Sequence, residues 1–78
     1  DEYEWALNLS NKAIEIDPEY GYAYWQRSCA NAVLDNKNEA IVDLATAIQK
    51  SPNLKDEIES EELFENLKES DEFKKLLD

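Results

Sequence analysis

The chain has no histidine and only one cysteine, Cys29. Histidine is the commonest general base near neutral pH and the commonest metal ligand in proteins. A single cysteine cannot form an internal disulfide, and without a neighbouring histidine its thiol has no obvious activating base. We therefore predict that the chain is not an enzyme and that it holds no metal ion and no cofactor.

Glycine and proline are also scarce, with one glycine and two prolines in 78 residues. Short strands joined by tight turns need more of both residues than this. No uninterrupted apolar run approaches the length of a membrane span or of a signal peptide. These absences favour an all-α chain, and its length allows one domain.

Basic residues are few, since eight Lys and Arg stand against 19 Asp and Glu and give a net charge of −11. This charge repels phosphate backbones and anionic membrane surfaces, so we expect neither a nucleic-acid nor a membrane partner. Hydrophobic residues nevertheless make up 42% of the chain. That fraction is too high for a disordered acidic tail and indicates a folded domain.

Apolar residues recur at helical spacing in three segments, about Glu2–Ile16, Gly21–Leu34 and Glu39–Lys50. Pro18 and Pro52 follow the first and third segments, and the residue before a proline is pushed out of the helical region. Three polar residues between the second and third segments are predicted to supply the turn and the N-cap: Asp35, Asn36 and Asn38.

The first and third segments repeat each other at a distance of 34 residues. Four of the 15 pairs that align residues 6–20 with residues 40–54 are identical: Ala6 and Ala40, Ala13 and Ala47, Ile14 and Ile48, and Pro18 and Pro52. A period of this length built from two helices is typical of stacked helical repeats.

These residues, together with the stretch "AYWQRS…EAIVDLATAI", resemble the tetratricopeptide repeat family over Ala6–Pro52. Ala40, Ala47 and Pro52 stand at the small-residue and proline positions of that family. Three positions depart from its pattern: Ser28 and Asp35 where glycine is common, and Asn31 where an aromatic residue is usual.

The resemblance implies an α-α superhelix, a right-handed solenoid fragment of antiparallel helix hairpins. Residues 1–17 would be the second helix of a truncated repeat, residues 18–52 a full repeat, and residues 53–78 a C-terminal helical cap. The chain opens inside a periodic pattern without a methionine, so we expect it to be a fragment of a longer protein.

The resemblance also implies a concave groove that binds a peptide or a helix. Carried to this chain, the groove residues are Tyr22, Trp25, Gln26, Cys29, Ala32 and Val33. Four of them share one helical face by their spacing alone: Tyr22, Trp25, Cys29 and Val33. The residues assigned to structural roles are Ala6, Ala13, Pro18, Tyr24, Arg27, Ala40, Asp43, Ala47 and Pro52. Among them, Arg27 and Asp43 are expected to form an ion pair, as in similar repeats.

The predicted function is that of a protein–protein interaction scaffold. An aromatic groove in an acidic protein suggests a protein or peptide partner whose apolar anchor residues are surrounded by basic residues. The alternative is a structural C-terminal cap or homodimerisation module of a larger protein, without a ligand of its own. A third interpretation is a regulatory domain attached to an enzyme. The lone cysteine and the lack of an export signal favour a cytoplasmic location.

Overall fold

A computed structural model describes all 78 residues and contains five α-helices, one 3-10 helix and no β-strand. The helices are α1 (Glu2–Ile16), α2 (Gly21–Val33), α3 (Lys37–Lys50), α4 (Leu54–Ser60), the 3-10 helix (Glu62–Leu67) and α5 (Asp71–Leu76). The all-α prediction is confirmed. The first helix has the predicted bounds, the second ends one residue early, and the third begins two residues before Glu39.

Side chains and prolines set the ends of the long helices. The carboxylate of Asp1 accepts hydrogen bonds from the backbone N–H groups of Tyr3, at 2.7 Å, and Glu4, at 3.2 Å, and so caps α1. Asp17 and Ser51 leave the helical conformation, with φ of −140° and −141°, because a proline follows each of them.

The turn between α2 and α3 departs partly from the prediction. Asp35 adopts the left-handed conformation, with φ of 66°, which glycine adopts without strain. Asn36 precedes α3, but no side chain caps that helix. Asn36 therefore occupies the predicted N-cap position, but its side-chain amide Nδ2 donates to Oδ1 of Asn31 at 3.2 Å and makes no capping hydrogen bond.

The three long helices form two antiparallel hairpins, α1–α2 and α2–α3, as predicted. The start of α2 meets the end of α3, since an added Cβ on Gly21 would lie 2.6 Å from Oγ of Ser51. In the same way Glu4, near the start of α1, and Leu34, after the end of α2, border one surface depression.

The core lies between α2 and α3 and continues into the C-terminal segment. Ala40 and Ala47 are completely buried, as their predicted structural role requires, because small side chains let two helices approach closely. Ala6 and Ala13, at the equivalent positions of α1, are only partly buried.

Residues 53–78 pack against α2 and α3 with three short helices. Five apolar side chains of this segment are buried in the core: Leu54, Ile58, Phe64, Leu67 and Phe73. One polar contact links the segment to α2: Nδ2 of Asn66 donates to the carbonyl of Ala32 at 3.2 Å. Within the segment, Nζ of Lys55 donates to the carbonyl of Asp78 at 2.8 Å. None of the helices combines the length and the apolar content that a membrane-spanning helix requires.

Candidate functional site

A groove of about 280 Å³ opens between α1, α2 and the start of the 3-10 helix, and we call it the α1–α2 groove. Seven of its ten lining residues are hydrophobic. The lining consists of Tyr3, Ala6, Leu9, Ser10, Trp25, Gln26, Cys29, Ala30, Glu61 and Leu63. The site is therefore a mainly apolar surface with one acidic side chain.

The structure brings together four of the six predicted groove residues. Trp25, Gln26 and Cys29 line the α1–α2 groove. The ring of Tyr22 stacks on that of Trp25, with centroids 5.1 Å apart and an angle of 22° between their planes. Tyr22 is 37% exposed, so the aromatic pair continues the groove lining towards solvent.

Ala32 and Val33 do not join this site. Ala32 is 2% exposed and belongs to the core, and its carbonyl accepts the hydrogen bond from Asn66. The prediction that Ala32 faces a ligand is wrong, because the C-terminal segment packs over that part of α2. Val33 is exposed but lies outside the groove lining.

Cys29 contributes a neutral thiol to the groove. Its side chain is nearly buried, and burial, helped by the negative charge of Glu61, raises the pKa of the thiol to about 12. Thiolate formation is therefore suppressed near neutral pH, and the sulfur acts as an apolar surface.

The indole of Trp25 has an unsatisfied donor. Its Nε1–H is buried and has no hydrogen-bond acceptor, whereas most buried polar atoms in proteins have one. Leaving such a donor unpaired costs about 1–3 kcal/mol. No pattern in the sequence indicates this feature, because it depends on which atoms surround the ring.

Sequence reasoning missed the two walls of the groove. Ala6 and Leu9 belong to the apolar positions of the first segment, but their spacing does not identify the helix that they face. Glu61 and Leu63 lie more than 30 residues along the chain from Trp25, and only the packing of the C-terminal segment brings them to α2.

On another face of α2, Arg27 and Asp43 form the predicted ion pair. Nε and Nη2 of Arg27 donate to the two carboxylate oxygens of Asp43 at 2.9 and 2.7 Å, and Nη1 donates to Oδ1 of Asn11 at 3.0 Å. Nδ2 of Asn31 also donates to Oδ2 of Asp43 at 3.3 Å. We call these four residues the arginine network.

The arginine network borders a more polar cleft of about 440 Å³. Asp43 is buried, and its hydrogen bond to Arg27 raises the pKa of the guanidinium. The polar groups of the network satisfy one another across α1, α2 and α3. This arrangement fits the structural role predicted for Arg27 and Asp43.

One face of α1 is uncovered. Its three large apolar side chains Trp5, Leu9 and Ile16 are 65%, 47% and 85% exposed. They lie on the stripe that the helical spacing of the first segment predicts. The predicted apolar stripe is present on α1, but of its three large side chains only Leu9 lines the α1–α2 groove.

The chain is similar to segments of known protein phosphatases. It is 37% identical over 54 residues to serine/threonine-protein phosphatase T of Aspergillus oryzae (strain ATCC 42149 / RIB 40). It is 35% identical over 54 residues to serine/threonine-protein phosphatase 5 of Rattus norvegicus and to that of Mus musculus. Each alignment covers 69% of this chain but 11% of the phosphatase, so the chain spans about a tenth of the length of these relatives. No family model and no solved structure matches the chain.

Proposed function

We propose that the chain is a protein-interaction module of the tetratricopeptide kind, which receives a peptide or a helix in the α1–α2 groove. The observation that carries this proposal is the apolar lining of the groove beside the stacked rings of Tyr22 and Trp25. Aromatic side chains that become fully desolvated in a complex commonly provide most of the affinity of protein interfaces. The 34-residue period and the antiparallel hairpins support the tetratricopeptide assignment.

We further propose that the module binds and does not catalyse. The absence of histidine from the sequence and the raised pKa of Cys29 support this role, because both reduce the supply of general bases and nucleophiles. The net charge of −11 supports a partner with basic residues around its apolar anchors.

The test compares two alanine variants against peptides selected by phage display on the wild-type chain. Tyr22→Ala removes an exposed ring at the groove, and Val42→Ala removes an exposed apolar side chain from α3, outside the groove lining. Titration calorimetry should show about a tenfold or larger loss of affinity for Tyr22→Ala and no loss for Val42→Ala.

Circular dichroism melts should show that both variants remain folded, because neither side chain belongs to the buried core. Equal losses of affinity in the two variants, or a selection that enriches no binding peptide, would contradict the proposal.

The second candidate function is a structural cap or homodimerisation module without a ligand. The exposed stripe of Trp5, Leu9 and Ile16 favours it, because a face of this kind is stabilised when another surface covers it. Sedimentation velocity between about 1 and 100 µM tests for the homodimer. A dimer that Trp5→Glu converts to a monomer would support the second candidate.

The similarity to phosphatase segments supports the further proposal that the module serves a larger protein with an enzymatic domain.

A further inference from the structure

We propose that the occupant of the α1–α2 groove is an extended peptide segment with three recognition elements. One apolar side chain enters the groove, an adjacent Lys or Arg lies beside Glu61, and a backbone carbonyl accepts the hydrogen bond of Trp25 Nε1–H. This proposal rests on the proposed function and specifies its ligand.

The size and lining of the groove select the apolar side chain. A volume of about 280 Å³ lies just below the ~300–1,000 Å³ that is usual for pockets of drug-sized ligands. The groove therefore has room for one or two side chains of a peptide. Leu9, Trp25, Cys29 and Leu63 offer that side chain an apolar environment.

The unsatisfied indole donor selects an extended segment. A peptide that supplies an acceptor to Trp25 Nε1 removes a cost already present in the free protein. Helices use their interior carbonyls in their own hydrogen bonds, whereas an extended segment leaves its carbonyls free. The Nε1 atom is covered by neighbouring atoms, so binding must turn the ring or shift the partly exposed Tyr22 that stacks on it.

Glu61 selects the basic residue. It is the only charged side chain of the groove lining. One of its carboxylate oxygens, Oε1, accepts the backbone N–H of Leu63 at 3.2 Å, and the other has no partner. A Lys or Arg of the ligand would pair with this second oxygen. The polar cleft at the arginine network offers no equivalent site, because Arg27 and Asp43 pair with each other and the remaining acid, Glu39, stands in a lining with only two hydrophobic residues.

The test uses two sets of end-blocked nonapeptides, centred on Leu, Ile or Phe and otherwise made of Gly and Ser. In one set Lys or Arg flanks the central residue, and in the other Glu does. Binding is followed through the two indole N–H resonances of the ¹⁵N-labelled chain, which Trp5→Phe assigns. We expect the basic set to bind about tenfold tighter or better and to move the Trp25 indole proton downfield. The Trp5 signal should stay in place.

A matched pair of charge variants separates the groove from the general acidity of the protein. Glu61→Gln keeps an oxygen for the Leu63 N–H but removes the charge, and should weaken binding of the basic set about two- to fivefold. Glu39→Gln makes the same change of net charge at the polar cleft and should leave binding unaffected.

The outcomes distinguish this proposal from the one on which it rests. Peptides that bind without a charge preference, or without moving the Trp25 signal, overturn the recognition elements but leave the interaction module standing. If neither set binds, the extended segment is overturned; if no phage-selected peptide binds either, the interaction module fails with it. A Trp25 shift that grows with protein concentration in the absence of peptide identifies a second copy as the occupant and overturns the peptide.

Discussion

Replacing Arg27 with methionine tests the structural role of the arginine network. Methionine keeps an unbranched apolar stem for packing but removes every hydrogen bond of the guanidinium. Asp43 is buried, and the substitution leaves its carboxylate with only the 3.3 Å contact from Asn31. An unpaired buried charge is strongly destabilising, so Arg27→Met should lower the free energy of unfolding.

The magnitude follows from the burial of the two partners. Removing one member of a fully buried ion pair costs about 3–5 kcal/mol. The Arg27 side chain is 28% exposed, and water screens part of the interaction, which brings the expected loss to about 2–3 kcal/mol. A chain of this size rarely has more than about 3–5 kcal/mol of stability, so the variant should be close to unfolded.

Urea unfolding followed by circular dichroism measures this loss. For a small domain, about 2–3 kcal/mol corresponds to a decrease of roughly 10–20 °C in Tm. The double variant Arg27→Met/Asp43→Leu should recover part of the stability, because it leaves no buried charge without a partner. Lys68→Met is the control, since it removes an exposed pair with Glu65 and should cost less than about 1 kcal/mol.

Two results would refute this reasoning. One is a loss below about 0.5 kcal/mol in Arg27→Met, which would mean that the ion pair contributes nothing measurable to the fold. The other is a double variant whose loss equals the sum of the two single losses, because the two residues would then act independently.

Three further predictions follow from single positions. Asp35→Gly should raise the free energy of unfolding by about 0.5–1 kcal/mol in urea titrations, because glycine adopts the observed φ of 66° without strain; no gain would mean that the Asp35 side chain stabilises the turn. Gly21→Ala should destabilise the fold by about 1–3 kcal/mol, although alanine has the better helix propensity. The new Cβ would lie 2.6 Å from Oγ of Ser51 and 3.1 Å from the Ala47 carbonyl oxygen. An unchanged Tm would show that these atoms move aside freely. Cys29 stabilises the folded state below pH 9 and loses this contribution as the pH rises from 9 towards 12, since its folded pKa of about 12 exceeds the ordinary 9.0. Cys29→Ala should therefore lose stability less steeply than wild type over that range, by up to about 1.4 kcal/mol per pH unit, and parallel pH profiles would contradict the raised pKa.

The position of the three long helices is determined locally. Pro18 and Pro52 exclude the helical conformation at the residues before them, and the apolar spacing between these stops identifies the helices. The left-handed turn at Asp35 is also a local feature, because the conformation of this residue depends on its immediate neighbours. The capping of α3 could not be predicted, since Asn36 has a competing partner, Asn31, in another helix.

The repeat itself carries information about packing. The period led to the resemblance, which implies that Ala40 and Ala47 stand at small-residue packing positions; both residues are completely buried. The pairing of Arg27 with Asp43 was expected only from the resemblance, because the same combination recurs in similar repeats. The spacing of the two residues along the chain does not by itself identify them as partners.

The sequence by itself determined the helices, their order and the face of α2 that bears Tyr22, Trp25 and Cys29, because helix periodicity and proline sterics act over a few residues. Tertiary structure decided which part of that face is open. The C-terminal segment buries Ala32 and brings Glu61 to the groove. The residues of α2 and their neighbours in sequence do not indicate where this segment packs. Burial, the unsatisfied N–H of Trp25 and the raised pKa of Cys29 all depend on atoms distant along the chain, and only the folded packing brings those atoms together.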